Sequence, residues 1–132
     1  MMKNIEIDGL HFEIFLSLND IENKVVDLAH ELKGRYQDEW PVCLIVLNGA
    51  VVFAYELLKY LDSSIQFSLI KANSYNGINS TGQILIEYFP YDIIKNKNIL
   101  LIEDIVDTGC TLNFLKKELK KNGAKNVECV TL

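Results

Sequence analysis

The stretch that decides the fold is residues 98–112, which read NILLIEDIVDTGCTL. Its first part, Ile99 to Ile102, has no polar interruption, as is typical of a strand buried on both faces of a parallel sheet. Two acids, Glu103 and Asp104, follow directly, and ligands of α/β proteins bind where such strands end. The stretch therefore predicts a buried parallel strand with a functional site at its carboxyl end.

The residue types that follow this strand indicate the kind of ligand. Neighbouring carboxylates accept hydrogen bonds from the vicinal hydroxyls of a sugar, and their oxygens also suit Mg²⁺. The segment Thr108-Gly109-Cys110-Thr111 then opens a helical pattern, and free amides at a helix start stabilise a phosphate group. Each feature alone is more often a capped loop or a solvated strand end, whereas the combination is much rarer. We interpret residues 103–111 as a ribose-phosphate site.

The remaining sequence alternates strand and helix patterns over a length of 132 residues, which suits a single domain. The predicted elements are a strand-like start at residues 6–18, a helix from an Asn19 cap to Tyr36, a strand after Pro41 ending at Leu47, a helix from Ala50 to Leu61, strands at residues 65–69 and 83–89, a helix with Leu112, Leu115 and Leu119 on one face that ends near Gly123, and a strand from Val127 to Leu132. Such alternation predicts an α/β fold with a doubly wound, mostly parallel sheet, and we expect residues 1–132 to form one domain.

Residues 103–111 resemble the phosphoribosyl-pyrophosphate signature of the type I phosphoribosyltransferases, and in detail that of the hypoxanthine-guanine branch. In that signature two acids precede two apolar residues, a branch-specific residue and Thr-Gly-x-Thr, and the match is complete. The branch-specific residue is Asp107, and the resemblance implies that it is the general base and that the acceptor is a 6-oxopurine. Cys110 replaces the Lys or Arg of many members, at a position expected to contribute mainly its backbone amide.

Two further segments resemble the same family. In residues 44–53 the resemblance implies a pyrophosphate-binding loop at Asn48 and Gly49, often with a non-proline cis peptide, although Asn-Gly is also an ordinary turn between strand and helix. Residues 71–82 are similar to the family's flexible catalytic loop, with Ser74 and Tyr75 near one end and Thr81 and Gly82 near the other. Asn-Gly in this segment also fits a plain hairpin, but its length favours a lid that excludes water from the reaction.

The resemblance implies a set of ligands and residue roles. The expected ligands are phosphoribosyl pyrophosphate, a purine base and Mg²⁺, with the metal at Glu103 and Asp104. The residues expected to bind the phosphoribosyl group are Glu103, Asp104, Ile105, Val106, Thr108, Gly109, Cys110 and Thr111. The implied reaction is purine salvage, in which transfer to hypoxanthine or guanine gives IMP or GMP and pyrophosphate.

In the family the last strand is followed by about 50 residues, roughly a third of a typical small domain, that recognise the base and complete a hood. From these 132 residues we therefore expect an incomplete hood, weak or absent activity and a homo-oligomer, either dimer or tetramer. A non-catalytic phosphoribosyl-pyrophosphate or nucleotide-binding regulator and an inactive remnant stay open as alternatives. Asp107 favours the enzyme, because a phosphate sensor needs no base at that position. The choice among hypoxanthine, guanine and xanthine also stays open.

Composition excludes several other classes of function. A formal net charge of −5 argues against a nucleic-acid surface, which needs clustered Lys and Arg. The three cysteines share no metal-ligand spacing and indicate free thiols of a reducing cytosol. His11 and His30 are isolated, which argues against a metal site at either. No apolar run has the length that crosses a bilayer. We expect a cytoplasmic protein that binds neither nucleic acid nor membrane.

Overall fold

A five-stranded mixed sheet forms the centre of the structure, a computed structural model that describes residues 4–75 and 83–132. The elements in chain order are β1 (Ile5–Ile7), β2 (Leu10–Phe12), α1 (Leu18–Arg35), β3 (Val42–Leu47), α2 (Val51–Leu58), β4 (Phe67–Tyr75), β5 (Gln83–Tyr88), α3 (Tyr91–Ile94), β6 (Asn98–Glu103), α4 (Cys110–Lys121) and β7 (Asn126–Thr131). The strand order is β5-β4-β3-β6-β7, and every pair is parallel except β4 with β5. The predicted α/β fold with a mostly parallel sheet is confirmed.

The chain leaves the adjacent strands β3 and β6 towards opposite edges of the sheet. From β3 it passes through α2 to β4, towards one edge of the sheet, and from β6 it passes through α4 to β7, which forms the other edge. Because such crossovers are right-handed, α2 and α4 cover opposite faces, as in a doubly wound sheet. The carboxyl ends of β3 and β6, paired from Val42 with Ile99 onward, therefore form a topological switch point where a ligand crevice is expected.

Burial on both faces explains why β3 and β6 carry no polar residue in their central parts. Every residue from 42 to 46 and from 99 to 102 is buried. Helix α1 contributes a single buried stripe, with Val25, Ala29 and Leu32, as its helical spacing predicts. The buried core therefore directly precedes the carboxyl ends of β3 and β6 and fixes their positions.

The amino-terminal segment differs from the sequence prediction. Instead of one strand-like start, β1 and β2 form a separate antiparallel hairpin. Its turn contains Asp8 and Gly9, both with positive φ (50° and 76°), as a two-residue hairpin turn requires. Helix α1 begins at Leu18, earlier than a cap at Asn19 would allow. Ser17 is the cap instead: its hydroxyl accepts a hydrogen bond from the Asp20 amide at 3.2 Å, and Asp20 in turn accepts one from the Ser17 amide at 3.0 Å.

Other element boundaries also need correction. Residues 71–75, which the sequence assigned to the start of the catalytic loop, belong to β4, where Ser74 pairs with Ile84. Helix α2 ends at Leu58 rather than Leu61, and the short helix α3 was not predicted. The peptide bond between Leu47 and Asn48 is cis. No helix in the described ranges is both long and apolar enough to span a membrane.

Candidate active site

A cleft of about 360 Å³ opens at the carboxyl ends of β3, β4 and β6. Most of its wall is the turn after β6, residues 103–112. Gly49 closes it from the loop after β3, and Ala72 and Ser74 line it from β4. The cleft therefore lies at the switch point of the sheet, and the turn that the sequence interpreted as a ribose-phosphate site forms its main surface.

The two acids at the end of β6 each accept a hydrogen bond from the backbone amide of the next residue. The Asp104 amide donates to Glu103 Oε1 at 3.0 Å, and the Ile105 amide donates to Asp104 Oδ1 at 2.8 Å. Burial, together with the neighbouring Asp104 carboxylate, raises the pKa of Glu103 to about 7. A half-buried acid pair of this kind gains stability from hydroxyl donors or from a cation.

Asp104 is held from two sides. Its backbone carbonyl accepts hydrogen bonds from the Thr131 hydroxyl at 3.1 Å and from the Leu132 amide at 3.3 Å. Its carboxylate lies against Gly49, because a Cβ at position 49 would come within 2.8 Å of Asp104 Oδ2. The loop after β3 and the acid pair after β6 are thus in direct contact. Sequence reasoning missed Thr131; the signal that could have found it is the parallel register, in which Glu103 pairs with Thr131.

The turn leads into α4 with the geometry of an anion site. Gly109 is the N-cap residue with φ of 79°, and Thr108 Oγ1 accepts a hydrogen bond from the Cys110 amide at 3.3 Å. Thr111 and Leu112, in the first turn, line the cleft. The first amides of a helix lack partners inside the helix and carry partial positive charge, so a phosphate group placed at this end of the cleft is stabilised.

The structure brings most of the predicted site residues into one cleft. Those that line it are Gly49, Ser74, Glu103, Asp104, Ile105, Val106, Asp107, Thr108, Gly109, Cys110 and Thr111. Asn48 is exposed in the loop after β3 and does not line the cleft. Tyr75 is the last residue of β4, and Thr81 and Gly82 lie outside the described residues.

The charge of the cleft indicates what must accompany an anionic ligand. Its described lining residues include three carboxylates, Glu103, Asp104 and Asp107, and no Lys, Arg or His. No cluster of three or more metal-ligating side chains occurs in residues 4–75 and 83–132. Mg²⁺ usually binds through one or two carboxylates and completes its coordination with water and phosphate oxygens. The donor set here fits such an ion.

Comparison with known proteins identifies the family. Residues 13–132 match the family described as phosphoribosyl transferase domain. The chain belongs to the phosphoribosyltransferase family. It is 34% identical to the hypoxanthine-guanine phosphoribosyltransferase of Bacillus subtilis over 121 residues, covering 91% of this chain and 67% of that protein. It is 35% identical to the hypoxanthine-guanine-xanthine phosphoribosyltransferase of Tritrichomonas foetus, covering 90% of this chain and 65% of that protein.

Solved structures place this phosphoribosyltransferase chain in the hypoxanthine branch of the family. A hypoxanthine phosphoribosyltransferase from Staphylococcus aureus superimposes with a TM-score of 0.81 at 34% identity, covering 91% of this chain and 66% of that one. A hypoxanthine-guanine phosphoribosyltransferase from Bacillus anthracis gives a TM-score of 0.78 at 29% identity, covering 89% and 68%. The chain thus spans about two thirds of the length of these relatives.

Proposed function

We propose that the protein acts in purine salvage, transferring the phosphoribosyl group of phosphoribosyl pyrophosphate to a 6-oxopurine such as hypoxanthine or guanine. The observation that carries the proposal is the shared cleft, in which the acid pair Glu103–Asp104, the acid Asp107 and the start of α4 form one continuous surface. A sugar phosphate needs hydroxyl acceptors and an anion site a short distance apart, and this turn supplies both.

In the proposed complex the start of α4 binds the 5′-phosphate. The amides of the first turn and the hydroxyls of Thr108 and Thr111 donate to the phosphate oxygens, and Glu103 and Asp104 accept from the two ribose hydroxyls. Binding at the phosphate then orients the anomeric carbon, so that energy from a distant group lowers the barrier to transfer. The loop at Asn48 and Gly49 would bind the departing pyrophosphate.

Glu103 and Asp104 would also hold Mg²⁺. When bound, the ion supplies positive charge that neutralises the pyrophosphate oxygens and makes pyrophosphate a better leaving group. A cleft with three carboxylates and no basic side chain among its described lining residues would otherwise repel a polyanion. We therefore expect ligand binding to depend on the divalent cation.

Asp107 would act as the general base. It lies in the same turn as the acid pair and is exposed to the cleft. Its carboxylate would accept the proton from N7 of the purine while N9 forms the bond to the anomeric carbon and the bond to pyrophosphate breaks. The names of the relatives support a 6-oxopurine acceptor, since each includes hypoxanthine.

Isothermal titration calorimetry tests the binding half of this proposal. The wild-type chain should bind phosphoribosyl pyrophosphate in the presence of Mg²⁺ and bind it much more weakly in the presence of a chelator. Thr111→Ala should weaken binding by about ten- to a hundredfold, because a hydrogen bond to a charged group contributes about 1.5–3 kcal/mol. Thr111→Ser keeps the hydroxyl and is the matched control. If the wild type, Thr111→Ala and Thr111→Ser bind phosphoribosyl pyrophosphate equally, the start of α4 is not part of the binding site.

A purine-conversion assay distinguishes an enzyme from a binding protein that does not catalyse transfer. Formation of IMP or GMP from phosphoribosyl pyrophosphate and the base supports the transferase. Tight binding without conversion supports a phosphoribosyl-pyrophosphate-binding regulator instead. Comparing hypoxanthine, guanine and xanthine in the same assay determines which base is used.

We further propose that the protein is a cytoplasmic homo-oligomer. The described part of the chain exposes apolar side chains on α2, β4 and β5, including Val52, Tyr55, Phe67 and Leu85. Exposed apolar surface of this kind favours self-association. Three free cysteines suit a reducing compartment. Light scattering over a dilution series checks the oligomeric state, and a monomer at every concentration would contradict it.

A further inference from the structure

We propose that Thr131 is a positioning residue of this site, which holds the acid pair in place without touching the ligand. The proposal rests on the proposed function for its meaning, because the acid pair matters only if it binds a ribose. It concerns a residue outside the turn at residues 103–112, on a different strand.

The hydrogen-bond pattern at the end of the sheet carries the inference. Strand β6 ends at Glu103, so Asp104 is the first residue beyond the regular ladder. The ladder partner of Glu103 is Thr131 on β7. From that position the Thr131 hydroxyl donates to the Asp104 carbonyl at 3.1 Å, and the Leu132 amide donates to the same oxygen at 3.3 Å. The end of β7 thereby forms hydrogen bonds to Asp104, one residue beyond the end of β6 and within the turn at residues 103–112.

The contact between the Asp104 carboxylate and Gly49 restricts Asp104 on the side opposite β7. The Asp104 carboxylate lies against Gly49, and its Oδ1 accepts a hydrogen bond from the Ile105 amide at 2.8 Å. The backbone of Asp104 is therefore held by β7 while its side chain is confined by the loop after β3. If the Thr131 hydroxyl is removed, one of the two backbone hydrogen bonds is lost and the turn gains freedom to move away from Gly49. The two carboxylates that would receive the ribose hydroxyls then no longer have fixed positions.

The test compares two substitutions of similar shape. Thr131→Val keeps the β-branched side chain that suits a strand but has no hydroxyl, and Thr131→Ser keeps the hydroxyl but not the methyl group. Calorimetry in Mg²⁺ measures two probes for each protein: ribose 5-phosphate, which needs the acid pair, and inorganic phosphate, which needs only the start of α4. Thr131→Val should weaken ribose 5-phosphate binding by about three- to tenfold and leave phosphate binding within about twofold of the wild type. Thr131→Ser should bind both probes like the wild type.

Two results would overturn the proposal. One is that Thr131→Val binds ribose 5-phosphate as tightly as the wild type. The other is that it loses affinity for both probes equally, which would indicate general damage rather than displacement of the acids. If even the wild type fails to bind ribose 5-phosphate, the proposed function fails, and the Ile105 amide resonance in a ¹H–¹⁵N spectrum decides the positioning role separately. A shift of that resonance in Thr131→Val but not in Thr131→Ser supports it, and no shift in either overturns it.

Discussion

The contact between Gly49 and Asp104 predicts that Gly49→Ala impairs ribose binding. A Cβ at position 49 would lie 2.8 Å from Asp104 Oδ2 and 3.2 Å from both Oδ1 and Cγ. Ordinary contact begins at 3.4 Å, so the carboxylate must withdraw by about 0.6 Å. Gly49 is not among the glycines with positive φ. Its backbone therefore accepts alanine, and the substitution acts through this one contact.

The carboxylate has little room to yield to the new methyl group. Its Oδ1 is held by the Ile105 amide at 2.8 Å, and the Asp104 carbonyl is held by the end of β7. A displaced carboxylate loses a charge-assisted hydrogen bond to the ribose, which contributes about 1.5–3 kcal/mol, or about ten- to a hundredfold in affinity. We expect a loss of this size for ribose 5-phosphate and little change for inorganic phosphate.

Calorimetry with both ligands in Mg²⁺ measures this effect, beside urea unfolding to show that the fold is intact. Gly34→Ala is the matched control, because Gly34 lies in α1, has no positive φ, and a Cβ there would have nothing within 4 Å. It should leave ligand binding unchanged and stabilise the helix by up to about 1 kcal/mol. If Gly49→Ala binds ribose 5-phosphate within about twofold of the wild type, the acid pair does not depend on this contact.

Three more predictions concern the turn at residues 103–112. In any form of the protein that shows transferase activity, Asp107→Asn should lower turnover by about a hundredfold or more with little effect on phosphoribosyl-pyrophosphate affinity; unchanged turnover would assign proton acceptance to another group. The pKa of Glu103 is about 7 in the folded protein against an ordinary value of 4.5, so the folded state binds this proton more tightly and stability should fall as the pH rises from about 4.5 to 7 without Mg²⁺. Glu103→Gln should remove that part of the fall, measured by urea unfolding at pH 5 and pH 8, and an identical fall in both proteins would show that Glu103 does not cause it. Gly109→Ala forces a left-handed conformation, with φ of 79°, on a residue with a Cβ and should lower the free energy of unfolding by about 1–2 kcal/mol; an unfolding midpoint equal to or above that of the wild type would contradict the left-handed cap.

The parts of the fold that the sequence could predict are those in which local pattern and burial agree. Strands β3 and β6 are uninterrupted apolar runs because both of their faces are covered, whereas a strand with one solvated face would alternate apolar and polar residues. The turn at residues 103–112 carries its acids, glycine and hydroxyls in one short stretch, so its chemistry is visible before folding. Both strands were predicted with nearly correct boundaries.

The features that were not predicted depend on partners distant in the chain or on a choice between similar local signals. Ser17 and Asn19 are both good caps with an acid three residues later, and only the helix geometry selects Ser17. Residues 71–75 are mostly polar, yet pairing with β5 makes them a strand. The contact between Gly49 and Asp104 exists only because two loops meet at the switch point, which no local pattern shows.

That meeting of loops also couples the cleft to the folding of the whole sheet. Gly49 and Asp104 come together only after β3 has paired with β6, a parallel pairing that joins distant parts of the chain and therefore closes slowly. A partly folded chain would hold the turn but not its neighbour across the cleft. Any ligand that needs both loops then binds the folded chain alone, and at a hundred times its dissociation constant it adds about 2.7 kcal/mol to global stability. Its presence should slow amide exchange deep in β3 and β6 as well as in the loops that touch it, so that the most buried part of the sheet reports on occupancy at its edge.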